Sequence, residues 1–163
     1  MAATKVPSKA VGKVDKDIIK MLDEICSQSS NKYKVAYNDD NLGIAKTVLD
    51  LIKKATGKTA KDLIINMVDP AEDFYNKLIE LIPKGCIRQH RIGLDYTTKI
   101  PTTLTVISHE YENKLPEIMD MAADLEISTY GKTHRYCSFW VITDHKLDQY
   151  SIDHDFPCYK VNM

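Results

Sequence analysis

The apolar pattern of this chain changes character at Pro83-Lys84-Gly85. Before that point apolar residues recur every three or four positions, the repeat of a helix that buries one face. After it they gather in β-branched and aromatic runs, and all five histidines and the single tryptophan, Trp140, lie there. Helical and extended patterns therefore occupy separate stretches, which points to an α+β class.

In the first stretch, Asp15 is placed to cap a helix running to about Gln28, with Ile18, Leu22 and Ile25 on one stripe. Lys32 to Tyr37 alternates and reads as a short strand or an extended loop. Asp39 or Asp40 opens the clearest helix, where Ala45, Val48, Leu49 and Ile52 follow helical spacing and Gly57 suits the stop. Thr59 with Asp62 resembles a capping box ahead of Leu63-Ile64-Ile65. Asp69-Pro70 then reads as the cap and first-turn proline of a further helix, with Phe74, Leu78 and Leu81 as its buried stripe.

In the second stretch, Cys86 to Tyr96 and Thr102 to Ser108 read as strands; Leu104 and Val106 alternate with Thr103 and Thr105. A helix follows from about Asn113 to Ile127, carrying Leu115, Ile118, Met119, Ala122 and Leu125, and Tyr130-Gly131 is expected to break it. Arg135 to Thr143 is apolar on both faces, the signature of a central strand covered twice. Edge strands are expected around Tyr150 to Ile152 and Cys158 to Val161. The predicted architecture is an N-terminal helical segment of about four helices packed with a C-terminal, mainly antiparallel small sheet carrying one local helix. The boundaries are 1–14, a flexible basic tail with Lys5, Lys9 and Lys13; 15–85, helical; and 86–163, strand-rich, together forming one compact domain.

A chain of 163 residues buries roughly 70% of its extended surface and needs no staples. About two-thirds of the aromatics follow Gly85, so dense packing is expected there. The 22 basic and 23 acidic residues nearly cancel. That argues against a protein-wide attraction to nucleic acid or an anionic membrane, leaving only local patches. Cys26, Cys86, Cys137 and Cys158 form no CxxC pair, the N-terminus has no apolar signal core, and no apolar run is long enough to span a bilayer. Reduced thiols in a cytoplasmic protein are the expectation.

Several motif-like fragments fail on geometry. Gly57-Lys58-Thr59 and Gly131-Lys132-Thr133 lack the earlier glycine of a phosphate loop, which Ile52 and Glu126 replace. His109-Glu110 begins like a zinc-protease helix, but Asn113 stands where the second histidine belongs. Cys86/His90, His134/Cys137 and His154/Cys158 are close pairs, yet residues four apart on a strand lie about 13 Å apart. No metal site and no cofactor are predicted.

What remains is histidine chemistry and local charge. Asp144-His145 and Asp153-His154-Asp155 place carboxylates beside imidazoles, a pairing that orients a general base. Neighbours on a strand point to opposite faces, so a useful carboxylate has to come from elsewhere or from a turn. His90, His109 and His134 are the candidate catalytic histidines, with Arg88, Arg91, Lys132 and Arg135 as candidate anion-binding residues. On one sheet face they would suit phosphoester hydrolysis. Lys84, Arg88, His90 and Arg91 form one basic patch and Lys132 to Tyr136 another; basic residues interleaved with aromatics on strands would suit RNA or single-stranded nucleic-acid binding. Without a convergent catalytic motif, the leading expectation is a non-enzymatic protein-interaction module or small subunit of a larger assembly, contacting protein partners through its tail and any uncovered sheet edge.

Overall fold

The computed structural model describes residues 32–35, 60–95, 100–145, 147–156, 158–161 and 163, excepting the side chains at 35, 60–65, 94 and 154. Among them are three α-helices and a five-stranded mixed sheet. In chain order they are β1 (Tyr33–Val35), α1 (Ala60–Leu81), β2 (Ile87–Leu94), β3 (Pro101–Ile107), α2 (Leu115–Thr133), β4 (Ser138–Thr143), α3 (Gln149–Asp155) and β5 (Cys158–Lys160). Short 3-10 turns at Lys84–Cys86 and His109–Lys114 precede β2 and α2.

The strand order is β1-β5-β2-β3-β4. β2 and β3 form an antiparallel pair in which His90 stands opposite Thr105, with a register shift between Ile87 and Gln89. β5 lies antiparallel between β1 and β2. β3 and β4 are parallel, Leu104 beside Trp140, and α2 supplies the long crossover that a parallel pair needs.

One face of the sheet carries the main core. There Phe74 and Leu78 of α1 and Ile118 of α2 pack with Ile92, Ile107, Phe139, Val141 and Cys158. The Phe74 and Phe139 rings stack at 4.9 Å. On the opposite face the short α3 presses Ile152, with Phe156 just beyond it, onto Leu104. That approach is close: a β-carbon on Gly93 would collide with the Asp155 carbonyl and with Phe156. Asp148 starts α3 by accepting from the Ser151 amide at 3.4 Å, an N-cap bond.

This architecture corrects the expected one. The sheet is mixed rather than mainly antiparallel, because β4 returns parallel to β3. The four-helix N-terminal segment is not shown. Tyr33–Val35 is a strand, and Ala60–Leu81 is one continuous helix with Pro70 inside it, where a break between two helices was expected. A mid-helix proline costs about 3 kcal/mol. It is outweighed here because Met67, Ala71, Phe74 and Leu78 form one buried stripe across it, each large apolar member contributing about 1.5–3 kcal/mol. The basic tail at 1–14 and the helices expected over 15–28 and 39–57 lie outside the described residues.

Three further expectations change. α2 continues through Gly131 to Thr133 and ends on His134, whose φ of 56° is left-handed. Residues 150–152 belong to helix α3, and β5 is an interior strand rather than an edge. Among the described residues β4 is an edge strand rather than a central one: Phe139 and Val141 face the core, while Trp140 and Ile142 are 43% and 38% exposed.

Candidate functional site

The parallel β3–β4 pair ends both strands at one side of the sheet, next to the start of β2. His109 leaves β3 there, Asp144 and His145 leave β4, and Arg88 lies near the start of β2. The Asp144 amide donates to the Ile107 carbonyl at 2.8 Å, which fixes the turn. Asp144 Oδ1 then accepts from the His109 amide at 2.9 Å and from His109 Nδ1 at 2.9 Å. Arg88 Nε donates to Asp144 Oδ2 at 3.4 Å, and Arg88 Nη1 to the Gly85 carbonyl at 3.1 Å. The His145 ring stacks on the His109 ring at 4.4 Å.

A carboxylate only accepts, so the bond to Asp144 places the His109 proton on Nδ1 and leaves Nε2 as the reactive nitrogen. The hydrogen bond from the His109 side chain is also the main reason the Asp144 carboxyl is held below its ordinary range, aided by the His109 amide and Arg88. An oriented imidazole, a fixed carboxylate and a guanidinium in one exposed cluster can exchange protons with a bound molecule and attract an anion.

Of the residues singled out in the sequence, the structure brings Arg88, His109, Asp144 and His145 together. Asp144 serves His109 across the strand pair rather than its own neighbour. The other candidates lie elsewhere. His90 is fully buried on the core face, with Nε2 donating to the Ala71 carbonyl at 2.9 Å and Nδ1 bonded to Thr105 Oγ1 at 2.8 Å. Tyr33, Phe74 and Tyr75 surround it at 5.4 to 6.3 Å between ring centroids. Burial pushes its pKa down to about 4, against the hydrogen bond to Ala71 and together with nearby Lys160, so the ring is neutral.

Arg91 lies on the opposite face and is only 8% exposed. It binds Asp153 at 2.7 Å and the Phe156 carbonyl at 3.0 Å, with the Tyr159 ring 5.5 Å away, and so clamps α3 onto the sheet. Lys132, His134 and Arg135 sit at the C-terminal end of α2, a full β4 length, about 20 Å, from Asp144. Tyr130 and Tyr136 stack there at 4.6 Å.

Cys86, Cys137 and Cys158 are in no disulfide among the described residues. Burial pushes the Cys137 thiol up to about 11, away from the thiolate form a nucleophile needs. Among the described residues no group of three or more His, Cys, Asp or Glu could hold a metal ion, and no helix is long and apolar enough to cross a membrane.

A second surface stands out at the sheet edge. Among the described residues no strand pairs with the outer side of β4. Trp140 is braced edge-on by Phe156 at 6.0 Å and donates through Nε1 to Ser138 Oγ at 3.1 Å. Its remaining surface joins that of Ile142 in an exposed apolar strip. Comparison with family models, curated proteins and solved structures finds no match to this chain.

Proposed function

We propose that this chain is a protein-interaction module that takes an extended segment of a partner protein onto the side of β4 that no strand among the described residues covers. The carrying observation is the edge itself. Natural sheets guard their edges with charge, proline, bulges or very short strands. β4 reads Ser-Phe-Trp-Val-Ile-Thr over six residues and has none of these. An added strand would pair with the outward backbone groups and lay alternate side chains against Trp140 and Ile142. Such a partner segment is apolar at every second position and uncharged where it meets the tryptophan.

Affinity capture from native lysate with the wild-type chain and with a Trp140→Lys/Ile142→Lys chain tests this, with short-range cross-linking to locate the contact. The expected result is a partner held by the wild type, lost by the variant, and cross-linked next to β4. Equal recovery by both chains, or cross-links on another surface, would overturn the proposal.

The cluster at the sheet end favours a second reading, a histidine-dependent phosphoester hydrolase with His109 as general base and Arg88 steadying developing charge. Hydrolysis of bis(p-nitrophenyl) phosphate that disappears in His109→Asn and falls in Asp144→Asn supports it. Turnover unchanged by either substitution rules it out.

A further inference from the structure

The C-terminal end of α2 gathers aromatic and basic side chains for which neither reading above has a use. His134 adopts the left-handed conformation and its amide bonds back to the Tyr130 carbonyl at 2.7 Å. This turn reverses the chain, so Tyr136 returns over Tyr130, with ring centroids 4.6 Å apart and planes inclined by 25°. The hydrogen bond between their side chains is the main reason the Tyr130 phenol is shifted upward. The stacked rings form one aromatic unit. His134 meets the Tyr130 ring edge-on at 6.0 Å.

The unit faces solvent: Tyr130 is 39% and Tyr136 is 66% exposed. Lys132 and Arg135 lie within the same turn, both are exposed, and neither forms an ion pair among the described residues. The whole chain carries a net charge of −1, so any attraction for an anion here is local.

We propose that the Tyr130–Tyr136 stack, flanked by Lys132 and Arg135, binds single-stranded nucleic acid. Every base offers a π-face, and a pre-organised aromatic surface next to backbone-neutralising cations is what sequence-tolerant single-strand binding uses. The outer face of Tyr136 receives a base, and Lys132 and Arg135 meet the phosphates on either side. A duplex keeps its bases stacked inside and cannot offer that contact. The site lies at the opposite end of β4 from His109 and does not need the β4 edge.

Fluorescence anisotropy with labelled oligo(U), oligo(dT) and a duplex, each of about ten nucleotides, tests the proposal on the full chain. Two phosphate contacts give a slope of log affinity against log salt of about −1.4. Tyr136→Ala should weaken binding by about 5- to 150-fold, the range for losing one stacked base, whereas Tyr136→Phe should keep it. Lys132→Glu/Arg135→Glu should abolish binding, and Trp140→Lys should leave it intact, which separates this site from the edge proposal. Tighter binding of oligo(U) assigns RNA, and equal binding of both oligomers assigns single strands generally. No binding, salt-independent binding, a preference for duplex, or full affinity in Tyr136→Ala would overturn the proposal.

Discussion

Acid should destabilise this fold through one histidine. His90 is enclosed by Ala71 and Tyr75 of α1, Thr105 of β3 and Tyr33 of β1. The nearest cation is Lys160 of β5, itself paired with Glu72 of α1 at 2.7 Å. The folded protein holds the imidazole neutral down to about pH 4, while in the unfolded chain it titrates at the ordinary value of 6.5. Below pH 6.5 the unfolded state therefore takes up the proton and the folded state does not. Stability falls with pH across that window and the loss levels off near pH 4. The interval of about 2.5 units, at about 1.36 kcal/mol per unit, amounts to about 3 kcal/mol. That is a large share of the roughly 5–15 kcal/mol that holds a domain together. Urea unfolding followed by Trp140 fluorescence, at a series of pH values across the window, measures it. His90→Gln is the control: it should start less stable, because the Thr105 and Ala71 contacts are disturbed, but should lose about 3 kcal/mol less than wild type over the same pH range. Parallel pH dependences in the two chains would refute the reasoning, as would an NMR titration placing His90 near 6.5.

Other substitutions follow from the same packing. Phe74→Ala removes the ring stacked on Phe139 and should cost about 3–5 kcal/mol in urea unfolding. Gly93→Ala drives a methyl group into the Asp155 carbonyl and Phe156; it should cost about 1–3 kcal/mol and speed amide exchange in α3 before the rest of the molecule. Arg91→Ala leaves the Phe156 carbonyl without its Arg91 donor and Asp153 with Gln149 Nε2 but no cation and should cost about 2 kcal/mol, less than a fully buried pair because Asp153 is partly wet. Asp144→Asn, at the exposed sheet end, should change stability by less than about 0.5 kcal/mol, so any effect on phosphoester turnover reports on the site and not on folding.

The sequence carried local environment well and arrangement poorly. Leu104 and Val106 alternating with threonines marked β3, and the helical stripe of Phe74 and Leu78 marked the buried face of α1. Asp69-Pro70 misled because the steric rule against proline in a helix is local, whereas the buried stripe crossing Pro70 is a tertiary gain. The two-sided apolar pattern of β4 reported side-chain character and said nothing about strand order, so an edge strand read as a central one. Residues 150–152 read as extended although Asp148 and Ser151 already held the spacing of a helix N-cap. At the candidate site, His109 and Asp144 lie 35 residues apart and meet only because β4 returns parallel to β3. The expectation that a carboxylate would have to come from outside the sequence neighbours of a histidine fits this pairing, but it could not say which carboxylate meets which histidine. His90 was legible as a core residue in one respect: it shares a strand face with Ile92, which is fully buried.

Amide exchange of β4, read residue by residue, tests the open-edge account most directly. In the free chain the amides of Ser138–Thr143 that point away from β3 should exchange rapidly while their neighbours are protected. Adding the partner that the wild-type chain retains and Trp140→Lys/Ile142→Lys loses should slow those outward amides. Uniform protection of β4 in the free chain, or outward amides unchanged by that partner, would contradict the account.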